Sequence, residues 1–307
     1  MSLIEKAVDK LTRSEEGGTP SPIQPEATAD SRAGIIAQAM EKKPEPPAAP
    51  ATTEAPSVTS HSVSINLARL KAAGFVTPDA DRTEIAEEFR LIKRPLLINA
   101  TGQGGEPVPR GNMIMVTSSL PGEGKTFCAI NLAISIAMEL DRTVLLVDAD
   151  VAKPKLLEYL GVRAEHGLLD VLRDTRLSLP DVLLKTNVEK LTLLPAGTPY
   201  KRATELLASE AMNRLVDDMA SRYADRIVIF DSPPLLSTSE ASVLATHMGQ
   251  IVMVVEADHT PQSAVREALA LIEDCGAAIS MVLNKTTGPQ SAGGYYGYGY
   301  GYGRYGT

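Results

Sequence analysis

Cysteine is scarce in this chain: Cys128 and Cys275 are the two in 307 residues, far apart and without metal-ligand spacing. They read as reduced, buried thiols rather than as a disulfide framework or a zinc site. The four histidines, His61, His166, His247 and His259, show no i, i+4 pairing, so no metal site is assigned to them. No apolar run reaches the ~20 residues that would span a bilayer. The opening Met1-Ser2-Leu3-Ile4-Glu5-Lys6 has no signal-peptide core, so a cytoplasmic location is expected. Net charge is −8 and the basic residues form no stripe, which argues against a nucleic-acid partner.

What the chain does contain is a phosphate-binding signature. Met113-Ile114-Met115-Val116 is an apolar strand candidate, and an apolar-periodic helix candidate starts near Phe127. Between them lies Ser119-Leu120-Pro121-Gly122-Glu123-Gly124-Lys125-Thr126, which fits G-x-x-x-x-G-K-[ST] except that Ser119 stands at the first glycine. Loop amides and a helix N-terminus aim donors at anionic oxygens. Lys125 adds charge near the β- and γ-phosphates, and the Thr126 hydroxyl suits Mg²⁺. The candidate ATP contacts are Ser119, Pro121, Gly122, Glu123, Gly124, Lys125, Thr126 and Phe127.

Taken in order, residues 1–16 carry Leu3, Ile4, Ala7, Val8 and Leu11 at helical spacing, an amphipathic helix that needs a partner surface. Residues 17–60, rich in Pro and Ala, read as a disordered linker, with a short helix near Ser31–Lys42. Residues 61–110 read as a helical anchor and oligomerisation segment. Ile65, Leu67, Leu70 and Phe75 anchor it, and a helix entered near Thr83 is expected to end at Pro95. One face of that helix carries Ile85, Phe89 and Ile92; the other carries Glu84, Glu87, Arg90 and Lys93, either solvated or paired with a neighbouring subunit.

Residues 111–288 alternate strand candidates (113–117, 143–147, 191–194, 227–230, 251–255, 279–283) with helical stretches (126–140, 165–173, 202–223, 239–247, 261–274). That alternation predicts an α/β fold of P-loop NTPase type: a mostly parallel sheet with helices on both faces, carrying a helical N-terminal extension. Ligands of such sheets sit at the carboxyl ends of strands. Two strand ends there carry carboxylates, Asp148-Ala149-Asp150 and Asp231-Ser232-Pro233-Pro234, placed to hold Mg²⁺ directly or through water. Asn284 ends the last strand, either reading an adenine edge or capping the strand. Residues 289–307 are a Gly/Tyr-rich tail with six of the nine tyrosines, expected to be mobile.

The combination resembles the bacterial tyrosine kinases of capsule and exopolysaccharide loci, the BY-kinases. A Walker A loop, an Asp-x-Asp motif, a Walker B Asp followed by Pro, and a C-terminal tyrosine cluster occur here in that family's order. Glu87-x-x-Arg90-x-x-Lys93 looks like the family's E-x-x-R-x-x-R oligomerisation motif. Met1–Ala7 and Ile65–Leu70 look like the exosortase-associated autokinase branch. Two positions depart: Ala152 stands where the Asp-x-Asp motif usually continues to Arg, and Lys93 replaces the last Arg.

The resemblance implies ATP- and Mg²⁺-dependent transfer of the γ-phosphate to Tyr295, Tyr296, Tyr298, Tyr300, Tyr302 and Tyr305. Lys125, Asp148, Asp150 and Asp231 would be the catalytic group; Thr126, Asp148 and Asp231 would hold the metal, and Asp148 or Asp150 would accept the phenol proton. It further implies a homo-oligomer, a separate membrane polysaccharide co-polymerase as activator, a tyrosine phosphatase, and a location at the inner membrane face. Two other readings compete. A partition-type P-loop ATPase would carry a signature Lys where Leu120 stands. A nucleotide-gated adaptor would signal by assembly state alone.

Overall fold

The structure, a computed structural model, describes residues 61–286 apart from 80–82, 104, 105, 107, 223 and 224. The expected N-terminal helix, the linker and the tyrosine tail lie outside the described residues. Eight strands form one sheet: β1 (His61–Val63), β2 (Met113–Ser118), β3 (Thr143–Asp148), β4 (Leu184–Thr186), β5 (Leu191–Leu194), β6 (Arg226–Asp231), β7 (Gln250–Glu256) and β8 (Ala278–Asn284). Their spatial order is β1-β4-β5-β3-β6-β2-β7-β8, and every pairing is parallel except β4 with β5.

The central strands carry apolar runs, buried almost throughout, because both faces are covered. Along β2, Ile114 and Val116 join one core, while Met113 and Met115 join the other. In β3, Val144 and Leu146 oppose Leu145 and Val147 in the same way. The first core holds the helix after β2, α3 (Lys125–Ala137), buried at eleven positions. Two N-terminal helices, α1 (Leu67–Ala72) and α2 (Glu84–Thr101), pack there too, through Leu70, Phe89 and Leu96. Ile65 and Phe75 are buried with them. Asn131 of α3 accepts from the Val76 N–H at 2.6 Å, so the chain just after α1 is fastened to the P-loop helix by a buried hydrogen bond as well as by apolar contact.

Helix α2 departs from the sequence expectation twice. It does not end at Pro95 but continues to Thr101 and stops at Gly102, in left-handed conformation at φ 69°. Pro95 frees the carbonyl of Leu91, and Leu91 is 72 % exposed, so solvent can satisfy that group while Phe89 and Leu96 hold the helix to the core. Lys93, placed above on the charged outer face, is instead buried. Its ammonium donates to the Ser135 carbonyl at 2.6 Å and pairs with Glu139 at 2.6 Å, capping the last turn of α3. Glu87 and Arg90 do stay exposed and pair with each other. Lys93→Met is therefore expected to cost about 1–2 kcal/mol and lower the melting temperature by roughly 3–6 °C. Unchanged melting with an altered oligomer mass would return Lys93 to the interface.

The remaining helices are α4 (Leu156–Leu160), α5 (Leu168–Arg173), α6 (Leu179–Val182), α7 (Ala203–Leu207), α8 (Glu210–Arg222), α9 (Ser239–Ala245) and α10 (Gln262–Ala270). The stretch expected as one helix over 202–223 is two, because the Ser209 hydroxyl accepts from Met212 N–H and restarts the helix there. Cys128 is buried and its thiol is pushed up to about 12, by burial first and then by Asp231; Cys275 is only partly buried. No helix among the described residues is long and apolar enough to cross a membrane.

Candidate functional site

Three adjacent parallel strands, β3, β6 and β2, end at the same edge of the sheet. The register sets Asp148 level with Asp231, and Asp231 level with Val116, two residues before the end of β2. The P-loop thus emerges beside both acidic strand ends, as the crevice rule for open sheets requires. The chain turns through Gly122 at φ 92° and Gly124 at φ 98°. A Cβ on Gly124 would come within 2.1 Å of the Asn284 amide nitrogen, so glycine is needed there twice over. Ser119 lacks positive φ, which explains why serine can stand at the first glycine of the signature. The loop is anchored by Leu235 N–H to the Ser118 carbonyl (2.8 Å) and Leu236 N–H to the Ser119 carbonyl (3.2 Å).

The Lys125 ammonium lies 2.6 Å from Asp150 Oδ2, with both side chains nearly buried. Asp150 Oδ1 accepts from Lys153 N–H at 3.1 Å. Asp148 Oδ2 accepts from Leu156 N–H at 3.2 Å, while its Oδ1 has no hydrogen-bond partner. Asp231 is fully buried with neither carboxylate oxygen partnered. Burial, then the neighbouring Asp231, pushes Asp148 up to about 8; the Leu156 N–H and Lys125 pull against this, and Asp150 adds to it. Burial pushes Asp231 up to about 6 against the Lys125 charge. The Thr126 hydroxyl also lowers it, without reaching hydrogen-bond geometry to either oxygen.

Buried, unpartnered anionic oxygens cost several kcal/mol unless something cationic or protic meets them. Asp148 and Asp231, next to the Thr126 hydroxyl at the start of α3, therefore fit a hydrated divalent cation. No group of three or more His, Cys, Asp or Glu among the described residues is placed to hold a metal ion by itself, so phosphate oxygens would have to complete the coordination of such an ion.

A cavity of about 370 Å³ adjoins these groups. It is lined by Pro121, Gly122, Gly124, Lys125, Thr126, Phe127 and Asp150, together with Lys153, Lys155, Tyr159 and Thr238. Lys153 is the basic residue next to Ala152, where the family's Arg would stand; Lys155, Tyr159 and Thr238 were not singled out above, the first two following the Asp-x-Asp motif and Thr238 following Asp231-Ser232-Pro233-Pro234. Glu123 and Ser119, expected as nucleotide contacts, do not line it, nor does Asn284, read above as either an adenine contact or a strand cap; the carboxylates of Asp148 and Asp231, expected to hold the metal, are buried and do not line it either. Asn284 instead donates to the Glu123 carbonyl at 2.8 Å. A larger open groove, about 910 Å³, runs between α2 and β8 past Glu88, Phe89, Met281 and Leu283. It contains neither Lys125 nor Asp150, both of which line the smaller cavity, so the smaller cavity is the candidate site.

Comparison with known proteins agrees with this geometry. A family model described as an AAA domain matches residues 111–283. The putative tyrosine-protein kinase EpsB of Ralstonia nicotianae is 33 % identical over 194 residues, covering 63 % of this chain and 25 % of that protein. The chain thus spans a quarter of that relative's length. The tyrosine-protein kinase YwqD of Bacillus subtilis is 31 % identical over 186 residues, covering 60 % of this chain and 77 % of that one. The crystal structure of the chimerical protein CapA2B2 superposes with a TM-score of 0.60 at 27 % identity, covering 73 % of this chain and 92 % of that chain. With the Walker A loop, both acidic strand ends and the sheet that joins them in place, the chain belongs to the bacterial tyrosine-kinase family, on an AAA-type P-loop domain.

Proposed function

We propose that this protein is an ATP-dependent tyrosine autokinase that transfers the γ-phosphate to Tyr295, Tyr296, Tyr298, Tyr300, Tyr302 and Tyr305 of its own tail, in trans. The observation that carries the reading is that Lys125 and Asp150 line one P-loop cavity, while the unpartnered oxygens of Asp148 and Asp231 are buried at the neighbouring strand ends, close enough to feel the Lys125 charge. Relatives named as tyrosine-protein kinases support it.

In this reading Gly122 and Gly124 let the loop backbone close on the phosphates, and Lys125 neutralises charge building on the transferring group. Thr126, Asp148 and Asp231 would hold Mg²⁺, which would supply further neutralisation of the phosphates. A tyrosine hydroxyl with a pKa of ~10 needs a proton acceptor at neutral pH, and one of Asp148 and Asp150 provides it. Regulation of exopolysaccharide synthesis, activation by a separate membrane co-polymerase, reversal by a tyrosine phosphatase and a place at the inner membrane face complete the proposal.

Incubation of purified protein with ATP and Mg²⁺, followed by phosphopeptide mass spectrometry, tests it. Phosphotyrosine confined to the tail is the expected result. Free phosphate without label would favour the ATPase reading, and neither product would favour the adaptor. Full tail phosphorylation adds about −9 to −12 of charge to a chain of net −8. Phosphorylated protein is accordingly expected to run as a smaller oligomer in light scattering than the phosphatase-treated form. Equal masses would end that idea.

A further inference from the structure

Glu123 lies inside the phosphate loop, yet its carboxylate faces away from the cavity and is 2 % exposed. One oxygen accepts from Leu120 N–H at 2.6 Å, within the loop itself. The other accepts from the Thr260 hydroxyl, in the connection between β7 and α10. The Thr260 hydroxyl is the donor in that second bond, and its oxygen separately accepts from Glu256 N–H at 3.2 Å. Thr260 is itself seated by its own N–H on the Glu256 carbonyl, at 3.1 Å.

Two more donors come from the same side. Asn284 donates to the Glu123 carbonyl at 2.8 Å. Lys285 donates to the Gly122 carbonyl at 2.9 Å and is held by Glu256 at 3.0 Å. A trans peptide points its N–H opposite to its C=O. Drawing the carbonyls of Gly122 and Glu123 toward the ends of β7 and β8 therefore turns the N–H groups of Glu123 and Gly124 the other way, where an anion would be cradled.

We infer that the buried Glu123 and the half-buried Thr260 form a strut that positions the phosphate-facing amides of the P-loop, Glu123 acting as a positioning residue rather than a nucleotide contact. The inference rests on the nucleotide-site reading and assigns a role to Thr260, 134 residues beyond the end of the signature.

The test is equilibrium binding of a fluorescent ATP analogue with Mg²⁺ to the full chain, for wild type, Thr260→Val, Thr260→Ser, Glu123→Ala, Glu123→Gln and the double variant Glu123→Ala/Thr260→Val. Thr260→Val keeps the shape and removes the hydroxyl, both the donor to Glu123 and the acceptor for Glu256 N–H; it is expected to weaken binding about tenfold, or about 1.4 kcal/mol. Glu123→Ala should do the same, and the double variant should lose no more than either single one, as for two ends of one contact. Thr260→Ser and Glu123→Gln keep a hydrogen bond at each end and should bind within about threefold of wild type, so they carry the test if the alanine variant does not fold. A merely structural role would lower melting temperature and leave affinity unchanged. Wild-type affinity in Thr260→Val, or losses that multiply in the double variant, overturns the strut alone. Wild-type protein that binds no nucleotide overturns the site reading and the strut with it.

Discussion

Lys125→Met is expected to abolish phosphotransfer, lowering the rate by about 10³-fold, the scale found when one preorganised charge-stabilising donor is removed from a dry site. The methionine stem fills the same space, so the protein should still fold and elute as wild type. The ammonium it removes is the one held 2.6 Å from Asp150 and felt by both Asp148 and Asp231. Its loss leaves three neighbouring carboxylates with no fixed cation, so affinity for nucleotide falls along with the rate. Single-turnover measurement of tail phosphotyrosine at saturating ATP separates the two effects. Label at wild-type rate in Lys125→Met would mean either a contaminating kinase or a different phosphate site, and a second preparation from a kinase-free host would tell which.

Asp148→Asn should stabilise the nucleotide-free protein in alkali while removing function. Asp148 sits at about 8 in the folded chain and near 3.8 outside it, so between those values the native state holds a proton the unfolded state lacks. Stability then falls as pH rises from about 4 to about 8, because the slope follows protons bound unfolded minus native, here negative. Asp231, pushed up to about 6, adds to the decline in the lower part of the range. Asparagine is neutral throughout and keeps an acceptor for Leu156 N–H, although its amide needs a partner of its own. At about pH 8.5 the variant should be about 2–4 kcal/mol more stable, roughly 5–10 °C in melting temperature, and at pH 4 nearly indistinguishable. With ATP and Mg²⁺ the order reverses: wild type gains stability through ligation and the variant does not. Equal melting of both proteins at pH 8.5 would show that Asp148 is ionised at no cost, and its unpartnered oxygen would lose its meaning.

Much of the site was legible because each part announces itself in a few consecutive residues. An apolar run, a glycine-bearing loop and Lys125-Thr126 identify a phosphate cradle wherever they occur, since the backbone can close on an anion in few ways. Four apolar residues followed by Asp148 or Asp231 place a carboxylate at a strand mouth for an equally local reason. Helix α2 is less legible. Pro95 reads as a stop, yet burial of Phe89 and Leu96 outweighs one missing hydrogen bond on an exposed face. The outward Lys93 failed similarly: helical periodicity gives a face, but which charged residue finds a carbonyl at the end of another helix depends on how the two helices cross.

The order of motifs along the chain, the alternation that specifies a parallel sheet and the chemistry of Lys125, Thr126, Asp148, Asp150 and Asp231 are all properties of the sequence alone, because each rests on neighbours within a few residues. That Asp148 and Asp231 stand level, that Lys125 reaches Asp150, and that Glu123 leans on Thr260 were decided only by the fold. Strand order and register are set by burial of two faces at once, and no local stretch of chain contains that condition.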